Sequence, residues 1–298
     1  MARKRTLLVT GASGGLGRRV VELLAESGAD RLVATTRTPD TLTDLARRGV
    51  EVRRADFDDA KSLPAAFAGA DRLLLVSTDA IAFPGRRIEQ HLAAIEAART
   101  ARVQHVVYTS FADPDPRFLV SADHWGTERA LAASGLGWTA LRHNLYTEYL
   151  ALILPEAMAN GRLVAAAGEE GAAFVTREDC ARAAAAALAS SDTRAKVLEI
   201  AGPAIVTLRD IAGLASERAG RPVSYVQTEP AALRADMVAA GLPGRVADVL
   251  VSIHVAMARG KFRAAASAVT DLTGRVPTSV AEFFASRSDL LLAAPVAR

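Results

Sequence analysis

Three glycines recur at every third position in Thr6-Leu7-Leu8-Val9-Thr10-Gly11-Ala12-Ser13-Gly14-Gly15-Leu16-Gly17. That spacing suits one kind of chemistry, bringing bare backbone against a phosphate. Gly11 permits a sharp turn, Gly14 removes the side chain that would hold a diphosphate away from the main chain, and Gly17 allows a helix to pack closely on a strand. Ala12, Ser13, Gly15 and Leu16 share the turn and are counted as cofactor-binding with it. The first N–H groups of the following helix, and the positive end of its dipole, would face the anion. An ordinary β-to-α turn also uses glycine. The β-branched run before it and the helical spacing after it make dinucleotide binding the expectation.

Arg37 lies about twenty residues beyond Gly17, where such folds read the adenosine ribose. An acid there accepts from a free 2′-hydroxyl, whereas an arginine accommodates a 2′-phosphate, so Arg37 favours NADP over NAD. A solvated arginine at a strand end would need no ligand. Asp56 and Phe57 follow the third strand and could meet the adenine edge, Asp56 by accepting from the exocyclic amine and Phe57 through its backbone. Asp58 or Asp59 could instead serve only as a helix cap. Ser77 and Thr78 end the fourth strand with small hydroxyl side chains that would let the nicotinamide-side ribose approach.

These residues must be positioned by alternating strands and helices. Apolar runs over 6–10, 31–36, 50–56, 71–78, 103–110 and 138–142 alternate with helical patterns, and Thr38 with Pro39 reads as the cap and first turn of the second helix. Serial β-α-β units force a parallel sheet with right-handed crossovers, with the ligand at the carboxyl ends of the strands. The expectation is an α/β fold, a doubly wound parallel sheet of Rossmann type with a smaller, mainly helical lobe. His91, among Leu92, Ile95 and Glu96, is assigned no role.

Composition narrows the class. A chain of 298 residues that is half hydrophobic can bury a sizeable core plus a smaller lobe. Lys and Arg number 36 against 33 Asp and Glu, a near balance that offers no nucleic-acid patch. The single cysteine, Cys180, excludes an intramolecular disulfide and a cysteine-based zinc site, and suits a reducing cytoplasm. No metal site is expected. The apolar run after Arg3-Lys4-Arg5 meets the glycine turn too soon for a signal peptide, and no segment is long and apolar enough to span a membrane.

The Thr10–Gly17 turn, Arg37, Ala55-Asp56-Phe57-Asp58-Asp59, Tyr108-Thr109-Ser110 and Leu141-Arg142-His143-Asn144-Leu145-Tyr146 resemble the NmrA-like atypical short-chain reductases. Within that group the resemblance is closest to the bacterial type 2 NAD(P)H:quinone oxidoreductases. The later segments 173–179, 198–203 and 239–243 extend the likeness over nearly the whole chain. The resemblance implies that Thr109 and Ser110 join the cofactor site and that Phe174 lies on a loop over the cleft. As an ordinary core residue Phe174 would need no ligand. It further implies a nucleotide-binding domain over 1–145, to which 178–204 returns, and a substrate lobe made of 146–177 and 205–298.

Short-chain dehydrogenases of the ordinary kind use a tyrosine acid with a lysine four residues later, which lowers the phenol pKa and fixes the ribose. No such pair follows Ser110; the corresponding helix offers His124, Trp125, Glu128 and Arg129. Hydride transfer to a quinone gives a stabilised anion that water can protonate, so positioning could supply most of the rate. Where the family's quinone-site motif has asparagine and glycine, this chain has His143 and Asn144, and Tyr146 matches. His143, Asn144, Tyr146 and Phe174 are therefore the candidate substrate residues, with His143 and Tyr146 as the catalytic candidates. His143 could donate to an acceptor oxygen or be a satisfied structural histidine. Tyr146 could stack on a flat substrate or pack in the lobe.

The expected activity is NADPH-dependent hydride transfer to a small, planar, conjugated acceptor such as a quinone. A dye-like, enone or imine acceptor is the second enzymatic alternative, and a non-catalytic NADP-sensing regulator the third. A homodimer is the candidate assembly.

Overall fold

A computed structural model describes residues 4–28, 30–264 and 267–287. Arg3, Ala29 of the expected first turn and residues 288–298 of the expected lobe lie outside the described residues. The first half alternates β1 (Thr6–Val9), α1 (Gly15–Ser27), β2 (Arg31–Thr36), α2 (Thr43–Arg47), β3 (Glu51–Arg54), α3 (Leu63–Phe67), β4 (Arg72–Leu75), α4 (Arg86–Thr100), β5 (His105–Phe111), α5 (Ala122–Ala133) and β6 (Gly137–His143). The second half runs α6 (Leu150–Asn160), β7 (Arg162–Ala165), α7 (Arg177–Ala189), β8 (Lys196–Ile200), α8 (Leu208–Ala219), β9 (Ser224–Gln227), α9 (Pro230–Ala239), α10 (Gly244–Ala258), α11 (Val269–Thr273) and α12 (Val280–Ser286).

Seven parallel strands form the main sheet in the order β3-β2-β1-β4-β5-β6-β8. Chain direction across the sheet reverses between β1 and β4, and the crevice outside the strand ends at such a switch point is where doubly wound folds bind ligands. β1 and β4 are buried along their whole length, as expected of parallel strands covered on both faces. α1 turns Val20, Val21 and Leu24 inward to join α7 in one hydrophobic layer. The α3, α4 and α5 layer covers the other face.

A third hydrophobic cluster forms the lobe, with Leu150, Leu154, Phe174, Ile211, Phe262 and Phe283 among its buried residues. The lobe also contains a parallel pair, β7 with β9, registered at Leu163 and Tyr225. β8 returns to the main sheet beside β6, with Val197 opposite Ala140.

Several local expectations are corrected. Thr38 does not cap an α-helix through its side chain; Pro39–Leu42 is a 3₁₀ turn, and the Thr38 carbonyl accepts from the Thr41 hydroxyl. Asp59 makes no capping bond, and the Asp58 carboxylate is taken by Arg86 and Gln90. Short side chains bond readily to nearby donors, so a cap and a turn are hard to tell apart in sequence. β4 ends at Leu75, which leaves Ser77 and Thr78 in the following loop, where strand pairing no longer fixes them.

Candidate functional site

The glycine turn connects β1 to α1 at the switch point. Gly11 has φ of 60°, and a Cβ on Gly17 would lie 2.5 Å from the Gly11 carbonyl oxygen, so both positions require glycine. A Cβ on Gly15 would meet only open space, and one on Gly14 would approach the Gly11 oxygen at 3.3 Å. The amino end of α1 is thus bare and carries no side-chain cap, which leaves its first N–H groups to an anion. Ala12 is fully buried, its N–H donating to Thr35, so it shapes the turn without reaching the cavity.

Two cavities meet along Gly11, Gly14, Val76, Ser77 and Asp79. The first, about 270 Å³, adds Ser13, Thr36, Arg37, Asp56, Phe57 and Thr78 to its wall. Ser13 accepts a hydrogen bond from Thr36. Asp56 accepts from the Asp58 N–H with one oxygen, which fixes its carboxylate at the end of the third strand. Arg37 is exposed and makes no hydrogen bond among the described residues, although its charge helps hold the Asp58 carboxyl low, after the larger effects of Arg86 and Gln90.

The second cavity, about 550 Å³, runs from Gly15, Leu16 and Gly17 past Thr109 and Ser110 to His143, Asn144 and Tyr146. Hydroxyl bonds hold the loop between the cavities: Thr10 accepts from the Val76 N–H at 3.0 Å, Thr109 from the Ser77 N–H at 2.8 Å. The Thr78 N–H donates to Nε2 of buried His91 at 3.1 Å. His91, assigned no role from sequence, therefore positions this loop. Ser110 donates to Glu128, which is also paired with Arg142 through two hydrogen bonds.

At the far wall, Nδ1 of His143 lies 3.0 Å from the Tyr146 hydroxyl. Burial pushes His143 down to about 3 and raises the Tyr146 phenol well above its usual range, so both are neutral at pH 7. The Arg177 guanidinium sits 5.1 Å from the Tyr146 ring centre. The Asn144 amide donates to the Phe262 carbonyl and accepts from the Leu145 N–H, so its bonds are spent holding the lobe. Phe174 is placed differently from the expectation. Its side chain is 1% exposed inside the lobe core and does not line the cavity; the backbone of Gly202 packs so close to its carbonyl that a Cβ there would lie 1.9 Å from the oxygen.

Sequence reasoning missed several cavity residues. Arg87 and His124 line it, with Ile81, Val120 and Leu152. Val249, Leu250 and Ile253 of α10 close it from more than a hundred residues beyond Tyr146, and no local pattern announces that approach. Three buried polar atoms of cleft-lining residues, Thr78 Oγ1, Gln90 Oε1 and His143 Nε2, have no partner among the described residues. With the bare α1 end and Arg37, these features fit a phosphorylated dinucleotide.

The sequence matches the NmrA-like family over residues 3–284. The chain belongs to that family. This NmrA-like chain is 35% identical over 278 residues to quinone oxidoreductase 2 of Escherichia coli strain K12, covering 93% of this chain and 96% of that protein. The crystal structure of the NADPH-dependent quinone oxidoreductase from E. coli complexed with NADPH is similar at a TM-score of 0.88 and 34% identity, over 94% of this chain and 99% of that one. The Citrobacter sp. triphenylmethane reductase complexed with NADP(H) is similar at a TM-score of 0.83 and 29% identity, over 94% and 99%. Among the described residues of the NmrA-like chain, no helix is long and apolar enough to cross a membrane, and no group of three or more His, Cys, Asp or Glu could hold a metal ion.

Proposed function

We propose that this protein is an NADPH-dependent reductase that delivers hydride to a planar, conjugated acceptor, with quinones as the leading class and triphenylmethane-like dyes next. The observation that carries the reading is the pair of joined cavities. One has a mixed polar and apolar lining and is walled by Arg37, Asp56 and Phe57; the other is largely apolar and ends at His143 and Tyr146. A dinucleotide laid across the glycine turn would put its adenosine in the first and its nicotinamide in the second. When bound, NADPH supplies the hydride.

The chain's own residues would bind and orient. Arg37 would hold the 2′-phosphate, and Gly11 to Gly17 would admit the diphosphate to the α1 N–H groups. Ser77, Thr78, Thr109 and Ser110 would frame the nicotinamide-side ribose, and Tyr146 would lie against the acceptor with His143 behind it. No Tyr–Lys pair stands after Ser110; α5 carries His124 and, one turn on, Glu128. Since His143 and Tyr146 are both held neutral, neither exchanges a proton readily near pH 7, and water would protonate the reduced acceptor. Residues 1–145 with 178–204 would hold the dinucleotide, and 146–177 with 205–298 would cover the acceptor, in a cytoplasmic enzyme.

The test is loss of NADPH absorbance on mixing the protein with a panel of quinones and triphenylmethane dyes, alongside NADPH binding by calorimetry. Acceptor-dependent oxidation supports the reductase. Tight NADPH binding without turnover by any acceptor would overturn it in favour of a cofactor-sensing regulator.

A further inference from the structure

Arg87 stands in the first turn of α4, nine-tenths buried, on the wall of the acceptor cavity. Its Nε donates to the Thr78 carbonyl at 2.9 Å, and its Nη1 lies 3.4 Å from Nε2 of His124. An arginine only donates, so His124 Nε2 accepts, and the imidazole proton sits on Nδ1, 2.8 Å from the Tyr108 hydroxyl. His124 is stacked on Phe111 and buried. The guanidinium is therefore held from two sides by neutral groups.

No ion pair joins Arg87 to a carboxylate among the described residues. Asp79, which lines the same cavity, and Asp123 both act on Arg87 only through space, while burial lowers the Arg87 pKa. A buried cation with no carboxylate bonded to it is costly, and a ligand's negative charge would offset that cost. Two of its five N–H donors are used in the contacts above, which leaves donors for that ligand.

We propose that Arg87 forms an oxyanion-binding site in the acceptor cavity and holds the acceptor oxygen that takes up negative charge as hydride arrives. This rests on the reductase reading above. Hydride brings two electrons and one hydrogen to the acceptor and oxidises the reduced nicotinamide that supplies it. The C–H bond of the nicotinamide breaks and an O–H bond forms at one quinone oxygen; both carbonyl π bonds reorganise into the aromatic ring, the displaced electron pair comes to rest on the other oxygen, and a proton from water completes the hydroquinone. A fixed guanidinium at that oxygen stabilises charge present in the transition state and absent from the ground state. His124 and the Thr78 carbonyl are positioning groups, since they act through Arg87.

The same chemistry could be offered by the diphosphate of the dinucleotide. Arg87 is absent from the wall of the adenosine cavity and stands with Ile81, Val120 and Ile253, whereas the bare end of α1 already faces the diphosphate path. The observations therefore favour the acceptor.

The experiment uses the full chain with NADP⁺ bound. Binding of 4-nitrophenolate and of its neutral relative 4-nitroanisole is measured by calorimetry for the wild type, Arg87→Gln and Arg87→Lys, with NADPH affinity and thermal melting alongside. The wild type is expected to prefer the phenolate by about tenfold or more, Arg87→Gln to lose that preference, and Arg87→Lys to keep part of it. With a quinone, kcat of Arg87→Gln should fall roughly 10²- to 10³-fold, while NADPH affinity changes less than about threefold. Equal wild-type affinity for the two probes overturns the proposal even if a variant fails to fold. A fall in NADPH affinity that accounts for the whole loss also overturns it, assigning Arg87 to the diphosphate. Phenolate binding that depends on Arg87, in a wild type that oxidises NADPH with no quinone or dye, supports the anion site and refutes the reductase reading alone.

Discussion

The Tyr146 hydroxyl and Nδ1 of His143 lie 3.0 Å apart, so the last residue of β6 is tied to the segment that enters the lobe. The bond fixes the Tyr146 ring at the cavity wall, with the imidazole tilted against it at 6.0 Å between ring centres and the Arg177 guanidinium 5.1 Å from its centre.

Tyr146→Ala should raise the acceptor KM by roughly three- to tenfold, the value of one aromatic contact, with NADPH affinity held. Tyr146→Phe keeps the ring and leaves Nδ1 of buried His143 without its partner, costing roughly 1–3 kcal/mol of stability. Steady-state kinetics and melting separate the two effects. Unchanged kinetics in Tyr146→Ala would make Tyr146 a packing residue.

Arg37→Asp sets a like charge against the 2′-phosphate. NADPH binding should weaken by roughly 10- to 100-fold, corresponding to about 1.5–3 kcal/mol for a hydrogen bond to a charged group, while NADH binding changes little. Calorimetry with both cofactors checks this; equal losses would remove Arg37 from cofactor choice.

Gly17→Ala drives a methyl group to 2.5 Å from the Gly11 carbonyl and should lower stability by about 1–3 kcal/mol or more. Gly15→Ala meets no protein atom, so its melting temperature should match the wild type. Any loss of NADPH affinity in Gly15→Ala then reports the space the diphosphate needs.

All five histidines are buried. Burial holds His91 and His143 down to about 3, and His105 and His254 down to about 4; His124 is pushed well below its usual value. Below the unfolded pKa of about 6.5 the unfolded chain takes up protons that the folded chain refuses, so stability is full above that pH and is lost as pH falls. His91, His105, His143 and His254 each cost about 2 kcal/mol at pH 5, and His124 acts in the same direction. Together they rival the roughly 5–15 kcal/mol that holds a domain folded. Urea unfolding followed from pH 8 to pH 5 should show the midpoint dropping steeply below pH 6.5, and a flat profile would contradict the burial of these side chains.

Most of the strand and helix order was legible because glycine turns and apolar periodicity are local signals. The strands over 6–9, 31–36, 105–111 and 137–143 fall where the sequence expects them, within a residue or two. Capping was not legible at Thr38 or Asp59, since their backbone could be served by a turn as well as by a helix. Phe174 was misjudged because a phenylalanine in an apolar segment looks the same whether it faces a cleft or a core. Arg87 and His91 carry no signal at all in sequence. One sits beside another arginine on a helix, the other among helical neighbours, and only their burial against the loop after β4 sets them apart.

By itself, the sequence determined the parallel sheet, the glycine turn at its switch point and the basic residue beyond β2, because each depends on spacings within about twenty residues. The tertiary structure alone decided which side chains share the acceptor cavity. α10 and β6 meet there across more than a hundred residues, and a contact made by folding leaves no period in the chain. The same packing decided the charge of the site, since desolvation by distant elements keeps the histidines neutral and leaves Arg87 as its buried cation.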